Sequence, residues 1–350
     1  MRVAIIDTPS VNVLGGGQFL CRDLRDNLIK YGHEAKIFDL VHETSPLRHY
    51  LTNALIATQL DFDFADMVIP VSNSAWFVEH ENSVPWIIRQ NSAAYEWYDY
   101  QDYGGFKQFE SEGDVFRKLI TNADIACLKA KKKIYTISPM VTEILYDYCG
   151  LEAETLTVPF ASPDWEFVNK EYGEFIFYPG RIVRSKRPLL AIQAMKYVKS
   201  NVRLLIAGAI NDKQYGSEIK KYIKENQLED RVSLIDRFFS DDEKTKWFAG
   251  CLGTLYFGFL ESYWSIVSTE SAFCSKPIIA TTDSGATKYL VIDGETGYRP
   301  EPTPQAIAEA MDKMYMDRKK TARMGNEINK HIRTLIPTWE TVVKKLTGVG

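Results

Sequence analysis

A chain of 350 residues is long enough for two ordinary domains, each with a full hydrophobic core. Its composition, 45% hydrophobic and 25% charged, is that of a globular protein rather than a disordered one. The net charge of −4 disfavours a protein whose main task is gripping nucleic acid, and no apolar run approaches the ~20 residues that cross a bilayer.

In chain order, Arg2–Ile6 reads as an opening strand rather than a signal peptide. A loop ending in Gly15, Gly16 and Gly17 follows, and then a helix from about Gln18 to Lys30, with Phe19, Leu20, Leu24 and Leu28 on one face. Ala35–Phe38, Met67–Val71, Trp86–Arg89 and Ile134–Ile137 are further short apolar runs with polar or Pro punctuation. The segment Val158–Phe175, with Pro159, Pro163 and several acids, reads as a linker. Beyond it the alternation restarts: strands at Phe175–Tyr178, Val202–Ala207, Val232–Ile235, Gly253–Phe257 and Pro277–Ala280. The helices between and after them are expected at Pro188–Val198, Lys213–Glu225, Asp241–Phe248, Ser265–Cys274 and Thr303–Met316. Strands separated by helical lengths argue for two doubly wound parallel sheets, divided near residue 165, with ligands held beyond the C-terminal strand edges in a cleft between them.

Several loops suit an anionic or sugar ligand. Gly15, Gly16 and Gly17 precede a helix N-terminus, where bare amides and the dipole favour an anion; an empty flexible turn fits that sequence equally. A dinucleotide fingerprint, with Asp39 as its acid, is disfavoured because Gly15 lies nine positions beyond Ile6 and Leu20 occupies the third glycine position. The Gly180–Arg187 loop carries Arg181, Arg184, Lys186 and Arg187, a guanidinium and ammonium set suited to a leaving diphosphate; a solvated basic loop is the plainer reading. The segment from Glu261 to Glu270 joins a strand to a helix. It aims the amides of Ser265, Ile266 and Val267 at a ligand and places Glu270 within reach of hydroxyls; an ordinary surface carboxylate is the plainer reading.

Other features point away from metal or hydrolytic chemistry. The five cysteines are widely spaced without a Cys-x-x-Cys pair and read as reduced, mostly buried thiols of a cytoplasmic protein. No two histidines stand at i, i+4, and no Gly-x-Ser-x-Gly elbow occurs. Asp61–Phe62–Asp63 has the form of a metal-holding Asp-x-Asp but reads as surface carboxylates before a strand. Lys129–Lys133 reads as a solvated loop, with an anionic lipid surface or a nucleic-acid acceptor as sharper alternatives. The aromatic run Tyr95–Tyr103 fits either a stacking platform for a sugar or base acceptor, or a packed or dimer-forming loop.

In this order the pieces resemble the retaining GT-B glycosyltransferases of the glycogen and sucrose synthase group (family 4-like), which includes bacterial mannosyl- and glucosyltransferases. The matching residues are Gly15–Gly17, Gly32–Glu34, Gly180–Arg181 with Lys186, Leu205–Gly208, Asp230–Val232, Glu270, Lys276–Ala280 and Asp293–Gly297. The resemblance implies a GT-B fold of two Rossmann-like domains. Residues 1–165, with a C-terminal helix in 337–350 packed back on them, would hold the acceptor; residues 166–336 would hold a UDP- or GDP-linked hexose. It implies transfer with retention of configuration, no metal and no cofactor beyond the donor. Arg181 and Lys186 would bind the diphosphate, with Glu270 on the ribose. Gly16, Gly17, Gly208, Phe238, Glu261, Ser262, Ser265, Ile266 and Val267 would complete the donor site, and Asn91 would hold a sugar hydroxyl. A sugar, a lipid-linked molecule or another hydroxyl compound would be the acceptor, with peripheral membrane contact as an allied expectation and the oligomeric state left open.

Departures from the family pattern are specific. Ser262 stands where a first Glu is usual, eight positions before Glu270, and Glu261 lies one position early. Tyr263 replaces a glycine, Tyr289 replaces the Glu of a Gly-Gly-x-x-Glu loop, and Asn91 stands where a His is common. A catalytically silent homologue that binds a sugar or partner is the alternative, and an NAD-type enzyme a third.

Overall fold

The computed structural model describes residues 1–8, 16–40, 49–160, 171–263 and 265–349. Gly15, most of the expected linker (161–170) and Trp264 lie outside the described residues. In chain order the strands and helices begin with β1 (Arg2–Asp7), α1 (Gly16–Lys30), β2 (Glu34–Asp39), α2 (His49–Ala57), β3 (Met67–Pro70) and β4 (Trp86–Ile87). They continue with α3 (Glu110–Lys129), β5 (Tyr135–Thr136), α4 (Pro139–Cys149), β6 (Glu154–Thr155), β7 (Phe175–Pro179), α5 (Pro188–Ala194), β8 (Arg203–Ala207) and α6 (Lys213–Glu225). Next come β9 (Val232–Ile235), α7 (Asp241–Gly250), β10 (Gly253–Tyr256), α8 (Ile266–Phe273), β11 (Ile278–Ala280) and β12 (Gly297–Tyr298). The last are α9 (Pro304–Met316), α10 (Arg318–Leu335) and α11 (Trp339–Thr347). The chain divides into two compact units, Met1–Ala161 with Ile336–Gly350, and Ser162–Leu335.

In the first unit β1 pairs in parallel with β2 and β3, giving the order β2-β1-β3, and a second parallel ladder runs β4-β5-β6. Backbone bonds from Val84 to Val68 (3.0 Å) and from Ile88 to Val71 (2.8 Å) join the two ladders. Five of the six residues of β1 are buried, as expected of a strand covered on both faces. Helix α11 belongs to this unit: Trp339 packs edge-on against Trp86 at 6.3 Å, and the Tyr135 hydroxyl donates to the Lys345 carbonyl at 3.0 Å. A buried polar centre ties α2, α3 and the post-β4 loop together. Asp124 accepts from Trp76 Nε1 and the Tyr95 hydroxyl at 2.8 Å each, and from the Tyr50 hydroxyl.

Burial pushes the Asp124 carboxyl up to about 6 against the pull of those three donors. A carboxyl raised on folding binds its proton more tightly in the native state, so its contribution to stability is lost as pH rises from near 3.8 through about 6. The urea midpoint of the wild type minus that of Asp124→Asn is therefore expected to shrink from pH 4 to pH 7. A constant difference would contradict this.

The second unit is one six-stranded parallel sheet in the order β12-β11-β10-β7-β8-β9. The chain leaves β7 for β8 on one side and later returns to place β10 on the other. The strand order thus reverses between β7 and β10, the point where such sheets hold ligands. Ile176, Tyr178, Leu204 and Ile206 are buried under α5, α6 and α9 in one core, and Phe177 and Ala207 pack with Phe248, Cys251 and Cys274 in another. Helix α5 ends at Ala194 rather than Val198, because Met195 and Tyr197 donate backwards by three residues into a tightened turn.

Candidate active site

Four loops leave the C-terminal edge of the second sheet, and the candidate residues stand on them. After β7, Gly180 takes φ +122° and its carbonyl lies against Gly208, the residue just after β8. A Cβ on Gly208 would sit 1.9 Å from that oxygen, so the glycine there is required by loop-on-loop packing. Arg181, next in sequence, is exposed and makes no hydrogen bond or ion pair among the described residues.

The remaining cations of that loop are already engaged. Arg184 turns to Glu218 of α6 at 2.9 Å and lies over the Tyr215 ring. Arg187, with φ +54°, is a half-buried clamp: it donates to the Phe257 carbonyl (2.7 Å), to Thr281 Oγ1 (2.9 Å) and through both terminal nitrogens to Asp283 (2.7 Å each). Burial alone would raise the Asp283 carboxyl, but the Arg187 fork and Thr281 hold it below the ordinary carboxylate range. Of the four cations expected to gather at an anion, Arg184 is thus held by Glu218 and Arg187 by Asp283.

Lys186 faces the loop after β10. Its ammonium lies 2.6 Å from the Glu261 carboxylate and donates to the Tyr256 hydroxyl at 2.8 Å, and that hydroxyl donates in turn to Glu261. The side chains of Lys186 and Glu261 are 16% and 8% exposed, so the pair is shielded but reachable. Burial and the Glu261 charge push the Tyr256 phenol far up, and it remains a donor at any ordinary pH. Leu260 takes φ +42° immediately before Glu261. Gly285, φ +62°, leaves room for the Glu261 backbone, which a Cβ there would meet at 2.1 Å. Ala286 N donates to the Glu261 carbonyl at 2.7 Å. Ser262 is buried, and the neighbouring Glu261 carboxylate is turned onto Lys186.

Helix α8 begins at Ile266 with Ser265 as its cap, so the amides of Ile266 and Val267 open the first turn as expected. Glu270, five residues in, is not a surface carboxylate; the plainer sequence reading is corrected, since the residue is 4% exposed. One oxygen accepts from Lys244 of α7 at 2.7 Å, and Oε2 is buried without a hydrogen-bond partner among the described residues. Burial raises the Glu270 carboxyl, and the Lys244 ammonium draws it back down. Phe238 is 85% exposed, and its neighbour Arg237 is tied to Glu243 at 2.6 Å.

In the first unit, Gly16 and Gly17 open α1, and a Cβ on Gly17 would touch Ile88 Cδ1 at 3.4 Å. Asn91 is half-buried at the head of a turn, its carbonyl accepting from Ala94 and Tyr95. The adjacent Gln90 is 1% exposed, with both amide atoms unpartnered among the described residues. Tyr95 and Tyr98 are packed inward, their hydroxyls given to Asp124 and Asp114, so they form no stacking platform; Tyr100 is 45% exposed. Asp61 accepts the Asp63 amide at 2.7 Å on either side of buried Phe62. Among the described residues no His, Cys, Asp and Glu side chains gather as a metal site would require.

Residues 163–331 match the family Glycosyl transferases group 1, so nearly the whole of the second unit is similar to that family. The chain is 27% identical over 222 residues to the alpha-1,3/1,6-mannosyltransferase ALG2 of Mus musculus, covering 59% of this chain and 52% of that protein. It thus spans about half the length of the curated relatives it matches. Among solved structures, sucrose-phosphate synthase of Thermosynechococcus elongatus superposes with a TM-score of 0.72 at 17% identity, over 99% of this chain and 98% of that one. Anabaena Alr3699/HepE, in complex with UDP and glucose, superposes at 0.69 and 14% identity, over 99% and 98% of the two chains. The fold is GT-B.

Within the second unit, the structure brings Lys186 together with Glu261. It leaves Arg181 on the adjoining turn and sets Glu270 against Lys244. Tyr256, Lys244 and Asp283 were not foreseen from sequence. Tyr256 ends an apolar strand and Lys244 sits among exposed charges, so neither carries a local signal. For Asp283 the only cue is its place in a loop after a buried strand.

Proposed function

We propose that the chain transfers a hexose from a UDP- or GDP-linked donor to a hydroxyl acceptor, with retention of configuration and without a metal. The observation that carries this is Arg181, exposed and without a partner among the described residues, on the same loop as Lys186, whose ammonium meets Tyr256 and Glu261 at the strand-order reversal of a unit similar to the group 1 glycosyltransferases. As the bond from the sugar C1 to the diphosphate breaks, negative charge grows on the leaving oxygens. Arg181 offers a planar fork to them, and Lys186 offers the ammonium proton left after Tyr256 and Glu261 have taken one each. The bare amides of Ile266 and Val267 add a helix dipole aimed at the same charge. Glu270 Oε2 accepts a ribose hydroxyl. The first unit supplies the acceptor side, with Gln90 and Asn91 beyond β4 as its polar groups.

Two relatives bracket the donor: the mouse protein is a mannosyltransferase, and the Anabaena protein holds UDP and glucose. The test is incubation with a panel of UDP- and GDP-hexoses in EDTA, reading nucleoside diphosphate release and the anomer formed. Release from one donor with the configuration kept supports the reading. Release from none, or only with a divalent ion, sinks it.

Glu261 also makes a prediction about affinity. Its charge offsets that of Lys186, so Glu261→Gln is expected to tighten nucleoside diphosphate binding about tenfold, worth ~1.4 kcal/mol. Calorimetric titration of both proteins checks this, and weaker binding by the variant would assign Glu261 another role.

A further inference from the structure

We propose that Lys244 is a positioning residue that turns Glu270 into a selective acceptor for one ribose hydroxyl of the bound nucleotide; this rests on the donor-site reading above. Helix α7 is fixed at its start by a reciprocal cap, in which Ser240 Oγ accepts from the Glu243 amide (3.2 Å) and Glu243 accepts from the Ser240 amide (3.1 Å). Arg237 pins that same Glu243 from outside at 2.6 Å, and Phe248 anchors the far end of the helix against Phe177 at 5.2 Å. Lys244 therefore leaves a rigid turn. Its ammonium reaches Glu270 Oε1 at 2.7 Å, and its side chain is 18% exposed against 5% for Glu270. Asp241, 3.3 Å from the same ammonium, is 84% exposed and competes for it only in water.

The arrangement is asymmetric. A carboxylate 5% exposed would protonate or rotate to find donors if left alone. Held by one oxygen on the Lys244 ammonium, it presents the other, Oε2, buried and unpartnered among the described residues. A ribose offers two neighbouring hydroxyls. A single fixed oxygen takes one of them well, whereas a freely rotating carboxylic acid would treat the two alike. Hydrogen bonds to a charged acceptor are worth roughly ten- to a hundredfold in affinity.

The experiment is calorimetric titration of the full chain with UDP or GDP, whichever it binds, and with the 2′-deoxy and 3′-deoxy forms of that nucleotide. Wild type is expected to lose at least about tenfold in affinity for one deoxy form and much less for the other. In Lys244→Met the ribonucleotide should weaken to the level of the poorer deoxy form, erasing the discrimination, while Lys244→Arg restores part of it. Lys244→Gln, which keeps the length and polarity of the side chain without its charge, should behave as Lys244→Met and guards against a folding defect. Variants that keep the wild-type ribo-to-deoxy ratio would overturn the role of Lys244 while leaving the donor site standing. A wild type that binds neither nucleotide would overturn the donor-site reading and this inference with it.

Discussion

Arg181→Ala is expected to lower the rate of transfer by about 10²–10³-fold while leaving the melting temperature unchanged. The side chain is exposed and, among the described residues, unpaired, so its removal costs no folding interaction; surface changes of that kind fall within about 0.5 kcal/mol. Its cost is confined to the transition state, where one preorganised donor facing a developing anion is worth roughly 3–4 kcal/mol. Lys186→Met is expected to differ in kind. It should lose a similar factor in rate and also destabilise the domain, because Glu261 and Tyr256 are left buried around a missing cation. Steady-state kinetics and thermal denaturation of the two variants side by side check the contrast. Equal stability losses would mean that the Lys186–Glu261 pair carries no structural weight.

Arg187→Met is expected to be the most destabilising single change in this region. The clamp joins the loop after β7 to the carbonyl of Phe257 after β10 and to Thr281 and Asp283 after β11. Breaking a buried pair costs roughly 3–5 kcal/mol, and Asp283, 26% exposed, places this one near the lower figure. For a unit of this size that is a fall in Tm of about 6–12 °C. Transfer should fall as well, since the loops bearing Lys186 and Glu261 lose their common tie. Arg187→Lys recovers one bond of the fork and should recover less than half of the loss. Differential scanning calorimetry measures both variants, and a shift under about 2 °C would show that the three loops hold one another without the clamp.

The fold was legible where chemistry repeats locally. Val202, Leu204 and Ile206 read as a buried strand, and Lys213–Glu225 as an amphipathic helix, because each pattern is complete within a dozen residues. Helices α2, α3, α4 and α10 were absent from that reading. The large apolar residues buried in α10, Met324, Ile328 and Ile332, are few in an otherwise charged and polar segment, so composition hides the helix. For α4 the signal was present, Ser138–Pro139 at its start and Gly150 just past its end.

The site divides in the same way. Loop positions were legible because each follows a strand, which is how Arg181, Lys186 and Glu270 could be named. Their states were not. Whether a cation is free or engaged depends on partners 75 residues away for Lys186 and Glu261, and 96 for Arg187 and Asp283. No local pattern encodes those distances. Glu270 shows the same limit: its burial and its single free oxygen come from packing against α7.

The most direct test of the account is calorimetric titration of the wild type and Arg181→Ala with UDP and with GDP, in EDTA. One of the two nucleotides is predicted to bind the wild type saturably at one site, and Arg181→Ala to weaken it at least tenfold with folding intact. Binding of neither nucleotide, or equal binding by the variant, would contradict the assignment of this loop to the donor diphosphate.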